Sequence, residues 1–318
     1  MKNYQNKAKI GVSSCLLGNA VRFNRGHCQD KFLTQELNHY FDYLAFCPEV
    51  EMGLPTPRPT LRIVLTEKGE RLICPKTGED HTETIQKFSA EKVKELATHQ
   101  LSGIVLKSAS PSCGVFRVKM YTEEGMPTHR SNGFFARAVK AAFPNMPIEE
   151  EGRLKDNAIR ENFIYRVSAY KDWQESIKDH KIHSLFQFHK RHKYRLMAHD
   201  QNVLRNLGRL LASHSEKDIT QLISAYEKDF FAALSIAPSK GNHANALSHV
   251  MGYFSKKMNA KERESLVELI DNYRQDLIPI IVPMTRLRHY LEKFEDPYIQ
   301  EQIYLYPHPA KLKLLNAV

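Results

Sequence analysis

An α/β domain with a mainly parallel sheet, followed by an all-α domain, is the fold class this sequence predicts. Three observations carry it. Over residues 1–160 short apolar runs alternate with amphipathic segments, the pattern of βαβ units. Over residues 161–318 apolar residues recur at threes and fours almost throughout, the period of buried helix faces. Between the two, around residues 150–170, the stretch EEEGRLKDN is polar and turn-like.

The first half reads in order as follows. KIGVSSCLL is a strand, DKFLTQELNHY a helix and YLAFCPE a second strand. RIVLTEKGERLIC reads as a hairpin turning at Lys-Gly. From Thr82 to His99 the spacing of Ile85, Phe88, Val93 and Leu96 is helical, with Asp80 or Thr82 placed to cap its start. GIVLK and VFRVKMY are further strands and GFFARAVKAAF a further helix.

In the second half Ile182, Leu185, Phe186, His189, Leu196, Met197, Leu204, Leu207 and Leu211 mark one helical run. Ile219, Leu222, Ile223, Tyr226, Phe230 and Leu234 mark another. Asn259 and Glu262 have the spacing of a capping box, and Pro238, Pro279, Pro283 and Pro297 read as breaks.

The chain has 318 residues, enough for two domains, with 42% hydrophobic and 26% charged residues, a globular composition. No apolar run nears the roughly 18 residues a membrane span needs, and the N-terminus lacks an apolar core of secretory length. A cytoplasmic location, without membrane association, is the expectation. There thiols stay reduced, so the five cysteines read as ligands, nucleophiles or packing, not disulfides. The net charge of +10 is shared equally between the halves and suits a polyanionic partner such as RNA.

Three cysteines stand apart. Cys15, Cys47 and Cys113 each follow a short apolar run, where a strand of a parallel sheet would end. Ligands collect outside the carboxyl ends of such strands, and three loops leaving one edge bring their thiols together. Ordinary buried cysteine is the plain alternative. The neighbours favour chemistry. Glu49 lies two residues from Cys47, and Ser110, Pro111 and Gly114 flank Cys113 with small or rigid residues that admit a bulky group.

VSSCLLG, RFN, CPEVEMGLPTPR and KSASPSCG together resemble the motif set of the thiouracil desulfurase family, in order, across the first 150 residues. The resemblance implies a 4Fe–4S cluster held by Cys15, Cys47 and Cys113, with one iron free of protein ligands. It also implies Glu49 and Ser110 as the catalytic pair. The implied reaction replaces a thiocarbonyl sulfur by oxygen with no net redox change. Cys28 and Cys74 match no motif position and read as structural; ligation by Cys28 would close the cluster and undo this mechanism.

FHKRHKYRLMAHD, HANALSHVMGYFSKKM, IPIIVPMTRLRHYL and QIYLYPHPAKLKL resemble the helical YbgA-like family. The fused arrangement, 1–160 and 161–318, is similar to bacterial tRNA 4-thiouridine desulfidases, which implies tRNA as partner. Lys190, Arg191, Lys193 and Arg195 are the candidate phosphate contacts, on one predicted helix. Two other readings stand beside this one. Free thiouracil or another small thiolated nucleobase is an alternative substrate. A non-catalytic iron–sulfur RNA-binding sensor is an alternative role, against which Glu49 and Ser110 argue.

Overall fold

The structure, a computed structural model, describes residues 7–307 with the exception of Lys217. The chain forms two compact units, divided between Asp156 and Asn157.

In the first unit the strands are β1 (Ala8–Ser13), β2 (Phe41–Phe46), β3 (Arg62–Thr66), β4 (Gly69–Ile73), β5 (Gly103–Leu106), β6 (Val118–Tyr121), β7 (Pro127–Ser131) and β8 (Ile148–Glu150). Its helices are the single turn α1 (Pro48–Glu51), α2 (Thr82–Thr98) and α3 (Phe134–Ala142). One sheet is wholly parallel, in the order β2-β1-β5-β8. Its central strands read as continuous apolar runs because both faces are covered: Ile10, Val12, Ile104, Val105 and Leu106 are all fully buried. Gly11 fits between strands at a point where a Cβ would come within 2.9 Å of the Phe46 ring.

A second, mixed sheet, β4-β3-β6-β7, was not legible as separate. The expected hairpin forms its edge, and β6 joins that hairpin, parallel to β3, instead of extending the first sheet. Two strands escaped the sequence reading. β7 is polar, and β8 carries Glu149 and Glu150, both buried. Their carboxylates are satisfied: Arg153 donates to Glu149, and the backbone N–H groups of Val115 and Phe116 donate to Glu150. The segment expected as a helix before β2 is a π-helical stretch, Phe32–Glu36, followed by a 3-10 turn, Leu37–His39.

The second unit is helical: α4 (Asn157–Ser176), α5 (Ile182–His199), α6 (Gln201–Ala212), α7 (Ile219–Ser235), α8 (Lys240–Gly252), α9 (Ala260–Arg274), α10 (Ile281–Phe294) and the short α11 (Pro297–Gln300). Asp200, Asp218 and Ser239 cap α6, α7 and α8, and Asn259 with Glu262 forms the expected capping box on α9. Pro283 is not a break. It sits in the first turn of α10, where its missing N–H would have had no helical partner. Helix α5 packs against α4, α6, α7 and α8, so it is enclosed on most sides. No helix among the described residues is long and apolar enough to cross a membrane.

Candidate active site

The parallel sheet explains why three distant cysteines meet. β2, β1 and β5 are consecutive neighbours in it, and each cysteine lies in the segment leaving the carboxyl end of one of them. After β1 the chain turns into a 3-10 turn, Ser14–Leu17, that holds Cys15 and closes at Gly18 with φ of 98°. After β2, Cys47 stands at the N-cap of α1, its N–H donating to Glu51 Oε1 at 2.8 Å. After β5 the chain enters the loop that carries Cys113.

That loop is held from within and from behind. Ser110 Oγ accepts the backbone N–H groups of Ser112 (3.2 Å) and Cys113 (3.0 Å). The N–H groups at the start of α3 bond its carbonyls: Gly133 to Gly114, Phe134 to Pro111, Phe135 and Ala136 to Ser112. The loop thus does for α3 what a capping side chain usually does. Gly133 permits the approach, since a Cβ there would lie 2.3 Å from the Ser112 oxygen. Ala109, immediately before Ser110, has φ of 57°, a left-handed conformation uncommon for alanine that marks a constrained backbone.

Glu49 projects from α1 and is gripped on both oxygens. Arg58 donates Nε and Nη2 to Oε2, at 2.9 and 2.7 Å, and Ser112 Oγ donates to Oε1 at 3.0 Å. Arg58 is itself buried and directs Nη1 to the carbonyls of Val21 and Pro55 and to Thr56 Oγ1. With both groups so enclosed, losing either partner would strand the other charge. Lys107 is anchored to Glu151 and Ser108 Oγ, while its N–H donates to Ser13 Oγ.

These side chains line one cavity of about 350 Å³, which Cys15, Cys47, Cys113, Glu49, Arg58, Lys107 and Ser110 share. Burial pushes the Cys15 thiol up to about 11, with further contributions from the Cys47 and Cys28 thiols. Burial also raises Cys47, and raises Cys113 well above the ordinary thiol range. Among the described residues no three His, Cys, Asp or Glu side chains are gathered tightly enough to hold a metal ion. A multi-iron cluster is different: it takes one thiolate per iron, so its ligands stand further apart. Three thiols around one cavity fit that donor chemistry and not a zinc site.

Cys28 lies beside Cys15, its N–H donating to the Cys15 carbonyl at 2.9 Å, but it is not in the cavity lining. Cys74 is buried in the core of the second sheet with Ile63, Leu72 and Ile85. The sequence reading missed the roles of Ser112 and Arg58. Ser112 was in plain view inside SPSCG, but nothing in a linear sequence distinguishes which of Ser108, Ser110 and Ser112 faces Glu49.

The basic helix of the second unit differs from expectation. Arg195 is 1% exposed and does not reach the surface. Its guanidinium lies 4.0 Å from the centre of the Tyr165 ring, and its Nε and Nη1 find no hydrogen-bond partner among the described residues. The cause is the enclosure of α5, whose residues from Tyr194 to His199 are all buried. Arg191 pairs with Asp172 and Lys190 with Glu301, while Lys193 lies near the rings of Tyr194 and Tyr298. Histidines face inward too. On α5, His192 bridges the Tyr165 hydroxyl (3.0 Å) and Asp172 (2.8 Å), and on α8 His243 meets the Tyr304 hydroxyl at 2.9 Å. Burial holds His189 down to about 4 and His199 down to about 3.

Comparison with known proteins accords with this geometry. The family described as 2-thiouracil desulfurase matches residues 10–151, and the family described as Protein of unknown function (DUF1722) matches residues 193–309. YbgA of Escherichia coli (strain K12) is 30% identical over 144 residues, 44% of this chain and 85% of its own length. YbbK of Bacillus subtilis (strain 168) is 32% identical over 110 residues, 33% of this chain and 72% of its own. A solved structure of TudS, a 4Fe–4S-dependent thiouracil desulfidase, is 28% identical over 47% of this chain and 94% of that one, with a TM-score of 0.38. The chain accordingly belongs to the 2-thiouracil desulfurase family through residues 10–151, with a DUF1722 domain behind them.

Proposed function

We propose that this protein is an iron–sulfur desulfidase of thiolated uracil, and that its substrate is 4-thiouridine in tRNA, converted to uridine. The observation that carries the chemistry is the convergence of three thiols with Glu49 and Ser110 on one cavity, in a chain of this family. Cys15, Cys47 and Cys113 would hold a 4Fe–4S cluster. When bound, it supplies an iron without a protein ligand, a Lewis acid soft enough for a thiocarbonyl sulfur.

The chain's own residues do the rest. Both lone-pair directions of Ser110 Oγ face backbone N–H groups, so its hydroxyl hydrogen is the part left to donate toward the reacting group. Glu49 Oε2 is occupied by Arg58, while Oε1 takes one bond, from Ser112, and keeps capacity for another. Oε1 is therefore the atom that takes a proton from an attacking water. The balance is C=S + H₂O → C=O + H₂S, with both water hydrogens leaving on sulfur and no electron transferred. A reducing, cytoplasmic compartment goes with thiolates of this kind.

One specific observation favours free thiouracil, or another small thiolated base, as substrate. Of the four candidate phosphate contacts, Arg195 is buried and two others are already ion-paired. The test is turnover by anaerobically iron-loaded protein on 4-thiouracil, 4-thiouridine and 4-thiouridine-containing tRNA side by side. A kcat/KM highest on tRNA supports the main reading; one highest on the free base replaces it with the second. No sulfide from any of them removes both.

A further inference from the structure

The loop between the Cys15 turn and β2 places Phe23 in the wall of the same cavity. Phe23 is 37% exposed, and of the large apolar side chains left exposed in the described structure it alone lines this cavity. Hydrophobic packing does not account for a ring in that position. Its placement is nonetheless enforced. The Phe23 carbonyl accepts the Arg58 N–H at 2.8 Å, and the Val21 carbonyl accepts Arg58 Nη1 at 3.1 Å. The residue that grips Glu49 therefore also fixes the segment carrying the ring.

A tight turn completes the support. The Arg22 N–H donates to the Gly26 carbonyl, the Arg25 N–H donates to the Arg22 carbonyl, and Arg25 Nε reaches Thr56 O at 3.2 Å. The Arg22 guanidinium lies 5.4 Å from the Phe23 ring centre and also lines the cavity. Among the described residues no carboxylate pairs with it. An aromatic face next to an uncompensated cation, in a cavity wall, is the pairing that recognises a nucleotide: the ring stacks on a base and the cation meets a phosphate.

We propose that Phe23 is the stacking surface for the pyrimidine ring of the substrate, and that Arg22 contacts the phosphate of a nucleotide substrate. This rests on the desulfidase reading and gives that site its specificity residues. Stacking tolerates any pyrimidine, so it sets affinity and orientation, while the cysteines and Glu49 supply the chemistry.

The test uses the full, iron-loaded chain with 4-thiouracil, 4-thiouridine and 4-thiouridine 5′-monophosphate. One readout is independent of turnover: 4-thiouridine 5′-monophosphate is photo-crosslinked by long-wave ultraviolet light and the labelled peptide is mapped by mass spectrometry. The label is expected on the peptide containing Phe23, and Phe23→Leu should abolish it. In kinetics Phe23→Leu should raise KM about tenfold on all three substrates with a smaller change in kcat, and Phe23→Trp should restore it. Arg22→Gln should raise KM on the monophosphate more than on the free base. Crosslinks confined to other segments, or an unchanged KM in an iron-replete Phe23→Leu protein, overturn the proposal. Crosslinking at Phe23 without sulfide release from any substrate would sink the desulfidase reading and leave the platform standing. Should Phe23→Leu fail to fold, the wild-type crosslink map and Phe23→Trp kinetics still decide.

Discussion

Arg58 gives two hydrogen bonds to a single oxygen of Glu49, at 2.9 and 2.7 Å, and leaves the other oxygen to Ser112 and the cavity. The fork does more than neutralise charge. It fixes which carboxylate oxygen faces the cavity, and it does so from a proline-rich segment, Pro55–Pro59, that the same arginine ties to Val21. A lysine cannot reproduce a planar fork. Arg58→Lys should therefore keep its iron yet lose roughly tenfold or more in kcat, and Arg58→Met should lose more and melt earlier, with the half-buried Glu49 left without its cation. Iron content, turnover and thermal unfolding on one preparation check this. Full activity in Arg58→Lys would mean that charge alone positions Glu49.

The carboxylate itself is the sharper test. In Glu49→Gln the amide oxygen can still accept from Arg58 while the NH2 donates to Ser112 Oγ, whose hydroxyl can rotate to accept, so the structure should survive while the proposed base is lost. Activity should fall by roughly 10²-fold or more in iron-replete protein. Ser112→Ala removes one bond to Oε1 and should cost less. Ser110→Ala removes the acceptor for two N–H groups of the cysteine loop, so it should lower iron retention as well as turnover.

The proposed ligation divides the five cysteines three to two. Cys15→Ala, Cys47→Ala and Cys113→Ala should each lose the iron–sulfur absorption and the bound iron. Cys28→Ala and Cys74→Ala should keep both. Cys28 is the informative case because it touches the Cys15 backbone. Loss of the cluster in Cys28→Ala to the extent seen in Cys15→Ala would close the open iron and end the mechanism.

What the sequence disclosed, and what it withheld, follows one physical line. Apolar runs disclose strands, so β1 and β5, buried on both faces, and the edge strand β2 were legible, with the thiols at their ends. β8 was not, because its two glutamates are made tolerable by Arg153 and by backbone N–H groups of Val115 and Phe116. Nor was the Arg58–Glu49 contact, which depends on the fold of a proline-rich segment. The same limit misplaced Arg195. Helical spacing gives a residue's angle around α5, but not that neighbouring helices enclose nearly every angle.

Inward-facing histidines make the second unit acid-sensitive. His199 and His189 are held neutral by burial, at about 3 and about 4 against 6.5 for a free imidazole. Depressed histidines leave stability intact above pH 6.5. As pH falls below that, the unfolded chain takes protons that the folded one refuses, until the folded values are reached. Between pH 7 and pH 5 each should cost about 2 kcal/mol. Asp172 adds a further loss only between about pH 4 and pH 2, since hydrogen bonds from His192 and Arg191 outweigh its burial and hold it at about 2. Trp173, the single tryptophan, is buried in this unit and reports its urea unfolding by fluorescence. An urea midpoint unchanged from pH 7 to pH 5 would contradict the assignment.

RNA contact by α5 now rests on fewer residues than its sequence offers. Lys190 and Lys193 are partly exposed and flank Tyr298, although Lys190 also pairs with Glu301, and Arg191 is committed to Asp172. If α5 grips the phosphate backbone, Lys190→Gln with Lys193→Gln should weaken tRNA binding and lower the slope of log affinity against log salt by about 1 to 2, since each released phosphate contact contributes about 0.9 on duplex and about 0.7 on single strands. Turnover of free 4-thiouracil should be unchanged, because neither lysine belongs to the first unit. Arg195→Met serves as the contrast. It removes a buried cation with two unsatisfied nitrogens, so it should leave the salt slope alone and change unfolding instead. A shallower salt slope in Arg195→Met at unaltered stability would place that guanidinium in contact with RNA. No change of slope in the double lysine variant would mean that α5 is a packing helix whose lysines merely face water.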